Sequence, residues 1–173
     1  MKRHVVLIGL PGSGKTTVGR LVAEQLHAEF VDIDAIIERR EGRPIGLIFA
    51  EKGEAAFRDM ERKEMEAALA GEAAVIAPGG GWAAQPGAIE TAQPRALVVY
   101  LRARPETAAQ RAASEEGTRP LLIGEDPVAR MRQMLKDREP FYLKAHTQLD
   151  TERKTAEAVA LEVVRLAQTT AGW

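Results

Sequence analysis

Gly9-Leu10-Pro11-Gly12-Ser13-Gly14-Lys15-Thr16-Thr17 decides the fold. The stretch satisfies G-x-x-x-x-G-K-[ST], follows the β-rich run Val5 to Gly9 and opens an amphipathic segment that runs to about His27. A strand, a glycine loop and a helix in that order make a phosphate cradle. The backbone N–H groups of Gly12, Ser13, Gly14 and Thr17 turn inward around phosphate oxygens, Lys15 reaches the β and γ phosphates, and the Thr16 hydroxyl can ligate Mg²⁺. A plain glycine-rich turn would account for the glycines but not for the lysine and the hydroxyl. Motors, switches and kinases all share the loop, so it implies a purine nucleoside triphosphate without naming a reaction. The chain contains no Asn-Lys-x-Asp stretch to read guanine, which favours ATP.

Outward from the loop, short β-rich runs alternate with longer amphipathic ones. Glu29 to Asp32, Ala74 to Ala77, Ala96 to Leu101 and Thr147 to Leu149 read as further strands. Such alternation predicts an α/β domain, a parallel sheet covered by helices on both faces, with ligands gathered at the carboxyl ends of the strands. Ser114 to Pro127 is polar, contains glycine and reads as a mobile loop between helices.

A length of 173 residues suits one domain with a sizeable core. Basic and acidic residues nearly balance, 24 against 25, so there is no broad positive field for nucleic acid and any anion must meet locally placed arginines. The lack of cysteine excludes disulfides and thiolate metal sites and makes the cytoplasm the expected compartment. Val5 to Leu10 is too short for a signal-peptide core and no stretch approaches a membrane span. His4, His27 and His146 lack ligand spacing and read as packing or surface residues.

Several residues after the strands suit an anionic acceptor. Asp32 and Asp34 are two apart; on an extended segment both carboxylates would face the same way, one for Mg²⁺ or its water shell, the other for the proton of an attacking hydroxyl. Asp34 could equally cap a helix beginning at Ala35. Arg58 borders the apolar stripe of a helix through Phe57, Met60 or Glu61, Met65 and Leu69. There it either pairs with Glu54 or Glu61 at the surface or is held by Glu61 with its fork turned to a ligand carboxylate. Gly79, Gly80 and Gly81 allow close approach of backbone to a ligand, although Pro78-Gly79 is also a turn signal. Arg138 continues the apolar face of Val128, Met131, Met134 and Leu135, and Pro140 should disturb that helix within a turn. Arg119, in the polar loop, could swing over a transferring phosphoryl group.

Taken together, Gly9 to Thr17, Asp32-x-Asp34, Ile45 to Phe49, Gly53-Glu54, Phe57-Arg58-x-x-Glu61, Gly79-Gly80-Gly81, Arg119-Pro-Leu and Arg138-x-Pro-x-Tyr142 resemble shikimate kinase in order and spacing. The resemblance implies a three-layer P-loop kinase fold with five parallel strands in the order 2-3-1-4-5, a substrate-binding region over about 33–61 and a lid over about 114–126. It implies ATP and Mg²⁺ as cofactors, shikimate as acceptor of the γ-phosphate at its 3-hydroxyl, and a monomer. By the same resemblance Lys15 contacts phosphates, Thr16 and Asp32 serve Mg²⁺, and Asp34 binds the acceptor hydroxyl. Arg58 and Arg138 grip the carboxylate, Gly79 to Gly81 border the ring, Arg119 is the lid arginine, and Arg111 and Arg153 stand near the adenine. Pro78 and Trp82 depart from the smaller residues common beside the glycines. A gluconate-type kinase needs neither the Phe57 to Glu61 segment nor Arg138-x-Pro-x-Tyr142, and a non-catalytic ATP-binding module needs no acceptor arginines.

Overall fold

Aliphatic runs become five strands: β1 (His4–Ile8), β2 (Phe30–Asp32), β3 (Val75–Ala77), β4 (Ala96–Arg102) and β5 (Thr147–Asp150). The structure is a computed structural model that describes residues 1–114 and 126–173. All neighbouring strands are parallel in the order β2-β3-β1-β4-β5, the order the resemblance implied. Every residue of β1 is buried, as is β4 up to Leu101, because both strands carry helices on both faces.

Side-chain alternation along these strands divides the core in two. Val5, Leu7, Leu97 and Val99 face α1 (Lys15–Leu26) and α8 (Ala156–Thr170), where Val22 and Val163 meet them. Val6, Ile8, Val98 and Tyr100 face the opposite layer. Its members include Ile37 of α2 (Ile33–Glu41), Ile48 of α3 (Ile45–Lys52), Met65 of α4 (Glu54–Ala70) and Ile89 of α5 (Ala88–Ala92). Ala108 of α6 (Pro105–Ser114) and Met131 of α7 (Pro127–Tyr142) complete it. Parallel strands place the β1–α1, β2–α2, β3–α5, β4–α6 and β5–α8 connections along one edge, so the candidate residues after each strand share that edge.

Two details differ from the sequence reading. Strand β2 stops at Asp32 and helix starts at Ile33, so period-two alternation does not relate Asp32 to Asp34. The cap of α2 is Asp32, whose Oδ1 accepts from the Ala35 amide at 3.2 Å, while Asp34 lies in the first turn. Secondly, α7 continues through Pro140 to Tyr142. A proline there forfeits one hydrogen bond, to the carbonyl of Lys136, and both residues are solvent-exposed, where water can serve that carbonyl. Most of the expected lid, 115–125, lies outside the described residues, and Arg119 with it.

Two of the three histidines fasten backbone. His4, buried at the start of β1, accepts the Ala74 amide on Nδ1 at 3.1 Å and presents Nε2 to the Leu69 carbonyl at 3.0 Å, tying β1 to the end of α4. His146 Nδ1 accepts the Val98 amide at 3.0 Å. Replacing His4 by Phe would leave a buried N–H and a buried C=O unmatched. We expect His4→Phe to lower stability by about 1–3 kcal/mol, read as a lower urea midpoint at unchanged m; an unaltered midpoint would mean that the imidazole only fills space.

Candidate active site

The phosphate loop turns tightly against α6. Gly12 has a φ of 79° and Gly14 one of 95°, both left-handed. A methyl group on Gly12 would collide with the Ala108 carbonyl and stand 3.1 Å from the Ala112 amide. Only glycine fits this loop where α6 abuts it. The first hydrogen bond of α1 is Val18 N–H to Gly14 O, 2.9 Å, so the amides of Thr16 and Thr17 precede any intrahelical acceptor and Thr16 and Thr17 are exposed. Lys15 Nζ donates to the carbonyls of Gly9 and Leu10, at 2.8 and 2.9 Å, which holds the ammonium at the loop. Ser13 Oγ is buried with no hydrogen-bond partner among the described residues. A buried donor in a ring of helix-terminal amides suits phosphate oxygens.

Four charged side chains from three helices meet the glycine turn after β3. A methyl group on Gly79 would stand 2.6 Å from Glu61 Oε2 and 2.8 Å from Asp34 Oδ1. One on Gly80 would be 3.0 Å from an Arg138 nitrogen, 3.2 Å from Pro11 and 3.3 Å from the Gly9 carbonyl; one on Gly81 would run into the Arg58 guanidinium. The triple glycine is therefore a requirement of close packing, and Gly80 lies between Arg138 and the phosphate loop. Trp82 turns back beneath it, its amide donating to the Gly79 carbonyl at 3.1 Å and its ring buried in the core. A cleft of about 700 Å³ between α4 and this turn is lined by Arg58, Met65, Trp82 and Gln85 but by neither Asp34 nor Arg138.

Arg58 combines both pairings considered from the sequence. One terminal nitrogen donates to Glu61 Oε1 at 3.0 Å, the other to exposed Glu54 at 3.3 Å, and the guanidinium lies 5.4 Å from the Phe57 ring centre. Its Nε is buried with no hydrogen-bond partner among the described residues, as is Glu61 Oε2. Glu61 takes the core position of the α4 stripe between Phe57 and Met65 and is fully buried. Burial pushes its carboxyl up to about 7 against the pull of Arg58, and nearby Asp34 pushes the same way. Sequence alone leaves that core position open between Met60 and Glu61. Its i+4 spacing from Phe57 and i−4 spacing from Met65 was the signal that a carboxyl would be buried.

Two further candidates, Arg111 and Arg153, fall beside the turn between β5 and α8. Arg111, on α6, donates to the Thr151 hydroxyl at 3.5 Å, and Arg153 follows two residues later in a left-handed conformation, φ 59°. The structure thus brings Arg111 and the β5–α8 turn to the helix that supports the phosphate loop. Glu152 fastens that turn by accepting from the Arg104 amide at 2.8 Å and the Thr107 hydroxyl at 3.1 Å. Among the described residues no three His, Asp or Glu side chains gather to hold a metal. A divalent ion here would take most of its ligands from phosphate and water, the habit of Mg²⁺, with Thr16 and Asp32 within the same loop edge to assist.

A five-stranded parallel sheet ordered 2-3-1-4-5, with this loop after its central strand and a glycine turn ringed by charged side chains beside it, defines a P-loop kinase. The family model described as shikimate kinase matches residues 11–168, and the chain belongs to that family. A shikimate kinase of Caldanaerobacter subterraneus subsp. tengcongensis is 41% identical over 163 residues, covering 94% of this chain and 95% of the relative. The solved shikimate kinase of Acinetobacter baumannii, in complex with shikimate, superposes with a TM-score of 0.91 at 37% identity, covering 98% of this chain and 94% of that one. A gluconokinase from Sinorhizobium meliloti 1021, at 19% identity, a TM-score of 0.61 and coverage of 99% and 94%, shares the fold alone.

Glu61 makes stability depend on pH. Its folded value, about 7, lies above the ordinary 4.5, so the folded protein holds the proton more tightly than the unfolded chain between these limits. Stability from this group is complete below pH 4.5 and is lost as pH rises through 7, by about 3 kcal/mol at most. Glu61→Gln should flatten the fall across that window in urea titrations at several pH values; an unchanged slope would place the proton elsewhere.

Proposed function

We propose that the protein transfers the γ-phosphate of ATP to the 3-hydroxyl of shikimate, giving shikimate 3-phosphate and ADP on the route to chorismate and the aromatic amino acids. The observation that carries this reading is the position of Gly80, in contact range of the phosphate loop on one side and of Arg138 on the other. An acceptor held by its carboxylate between Arg58 and Arg138 lies along the glycine turn, next to the loop that would carry the donor phosphate. The arginine forks match a planar carboxylate, and Glu61 fixes one of them by its bond to Arg58.

Asp34 accepts a hydrogen bond from the attacking hydroxyl. As the new O–P bond forms and the bond to the β-phosphate oxygen breaks, the hydroxyl proton passes to Asp34 and on to water, while ADP leaves. Lys15 and the amides of Gly12 to Thr17 neutralise the charge spread over the phosphoryl oxygens. Mg²⁺, held by Thr16 and through water by Asp32, would screen the β and γ phosphates. Arg119 is assigned to the transferring phosphoryl, and Arg111 and Arg153 to the adenine side, on the sequence resemblance. The proposal extends to a monomeric enzyme of the cytoplasm, as composition and resemblance led us to expect.

A coupled assay of ADP release tests the acceptor. Release should accelerate with shikimate and stay at the acceptor-free rate with gluconate; no acceleration by shikimate would remove the assignment. Arg58→Ala should raise the KM for shikimate by about 10- to 100-fold and leave the KM for ATP nearly unchanged. Equal effects on both substrates would reduce Arg58 to a structural ion pair. Asp34→Asn should lower kcat by about 10²- to 10⁴-fold with ATP affinity kept, and near-normal turnover would contradict a role in proton acceptance.

A further inference from the structure

Tyr142 is buried completely at the last turn of α7, one turn after Arg138. Its hydroxyl donates to the Gly80 carbonyl at 2.6 Å, across 62 residues of sequence. The Arg138 guanidinium acts on the same phenol and approaches the same glycine, a methyl group on Gly80 standing 3.0 Å from its nearer nitrogen. The ring is fixed by Tyr100 of β4, centre to centre 5.0 Å, and the Tyr100 hydroxyl is fastened in turn to Glu139 of α7 at 2.7 Å. The phenol therefore has little freedom to release Gly80, and burial keeps it protonated and able to donate.

A peptide plane fixed at its carbonyl is fixed at its amide as well. The bond to the Gly80 carbonyl thus sets the plane that carries the Gly81 N–H, and with it the turn that holds Arg58 and Arg138 apart. We propose that Tyr142 is a positioning residue for the acceptor, a latch that fastens the Gly79 to Gly81 turn to the helix carrying Arg138 so that the two keep one relative position toward the substrate. The inference rests on the reading of Arg58, Arg138 and the glycine turn as the acceptor site. It concerns a buried residue whose hydroxyl is engaged by the Gly80 carbonyl, so its signature is a change in acceptor binding without a change in nucleotide binding.

Tyr142→Phe keeps the ring and its packing and removes only the hydroxyl. The KM for shikimate should rise by about 3- to 10-fold, the worth of one neutral hydrogen bond, with the KM for ATP unchanged. Tyr100→Phe keeps the ring that packs on Tyr142 and loses only the bond to Glu139; it should raise the KM for shikimate less than Tyr142→Phe does and so serves as the control for loosened packing. Equal KM changes for both substrates, or the same change in both variants, would overturn the latch. Should Arg58→Ala leave the KM for shikimate unaltered, the acceptor-site reading fails first; an effect of Arg58→Ala without one of Tyr142→Phe removes the latch alone. The chain has two tyrosines, so fluorotyrosine labelling gives two ¹⁹F resonances in an otherwise unaltered sequence, assigned with Tyr100→Phe. Adding shikimate should shift the Tyr142 resonance more than adding ADP does, and a resonance indifferent to shikimate would count against the proposal even if Tyr142→Phe failed to fold.

Discussion

Close approach of the Gly79 to Gly81 backbone to charged side chains is the constraint on which the site depends. Asp34, Glu61, Arg58 and Arg138 reach that turn from α2, α4 and α7, and the phosphate loop reaches it from β1. No side chain can be added at any of the three glycines without displacing a charged group. Sheet topology makes this possible, because β3 lies between β1 and β2 and delivers its carboxyl end between the phosphate loop and the helix that bears Asp34. Packing and chemistry are thus the same arrangement seen at two scales: the contacts that hold the turn are the groups that would read an acidic acceptor.

Burying charge at such a turn carries a desolvation cost, which falls on Glu61. Its bond to Arg58 offsets part of it, yet burial and Asp34 still raise the carboxyl to near neutrality. Two acidic groups beside two arginines form a cluster of small net charge, and a further carboxylate arriving from a substrate would meet guanidinium groups already oriented. Preorganised donors lose little freedom on binding, so more of the interaction reaches the bound complex.

Much of this was readable before any coordinates. The phosphate loop and the five strands were visible as motif and periodicity, and the strand order followed from the resemblance. The pairing of Arg58 with Glu61 is a real contact, and the triple glycine, read as room for a ligand, meets charged side chains of the chain itself. What escaped was set by backbone geometry that periodicity does not encode. Asp32 and Asp34 were related by strand alternation, but the chain turns helical at Ile33 and gives the cap to Asp32. Pro140 was given more disruptive force than it has near the exposed end of a sixteen-residue helix. The Tyr142 hydroxyl was invisible as a partner for Gly80, since nothing local in sequence signals a contact across 62 residues.

The central claim is that two arginines at a glycine turn select an acceptor by its carboxylate. The most direct measurement compares kcat/KM for shikimate with that for its methyl ester, which keeps every hydroxyl and removes the charge. The account predicts a loss of at least about 100-fold for the ester, since charge-assisted bonds to both guanidinium groups are weakened together. An ester phosphorylated as efficiently as the acid would contradict it.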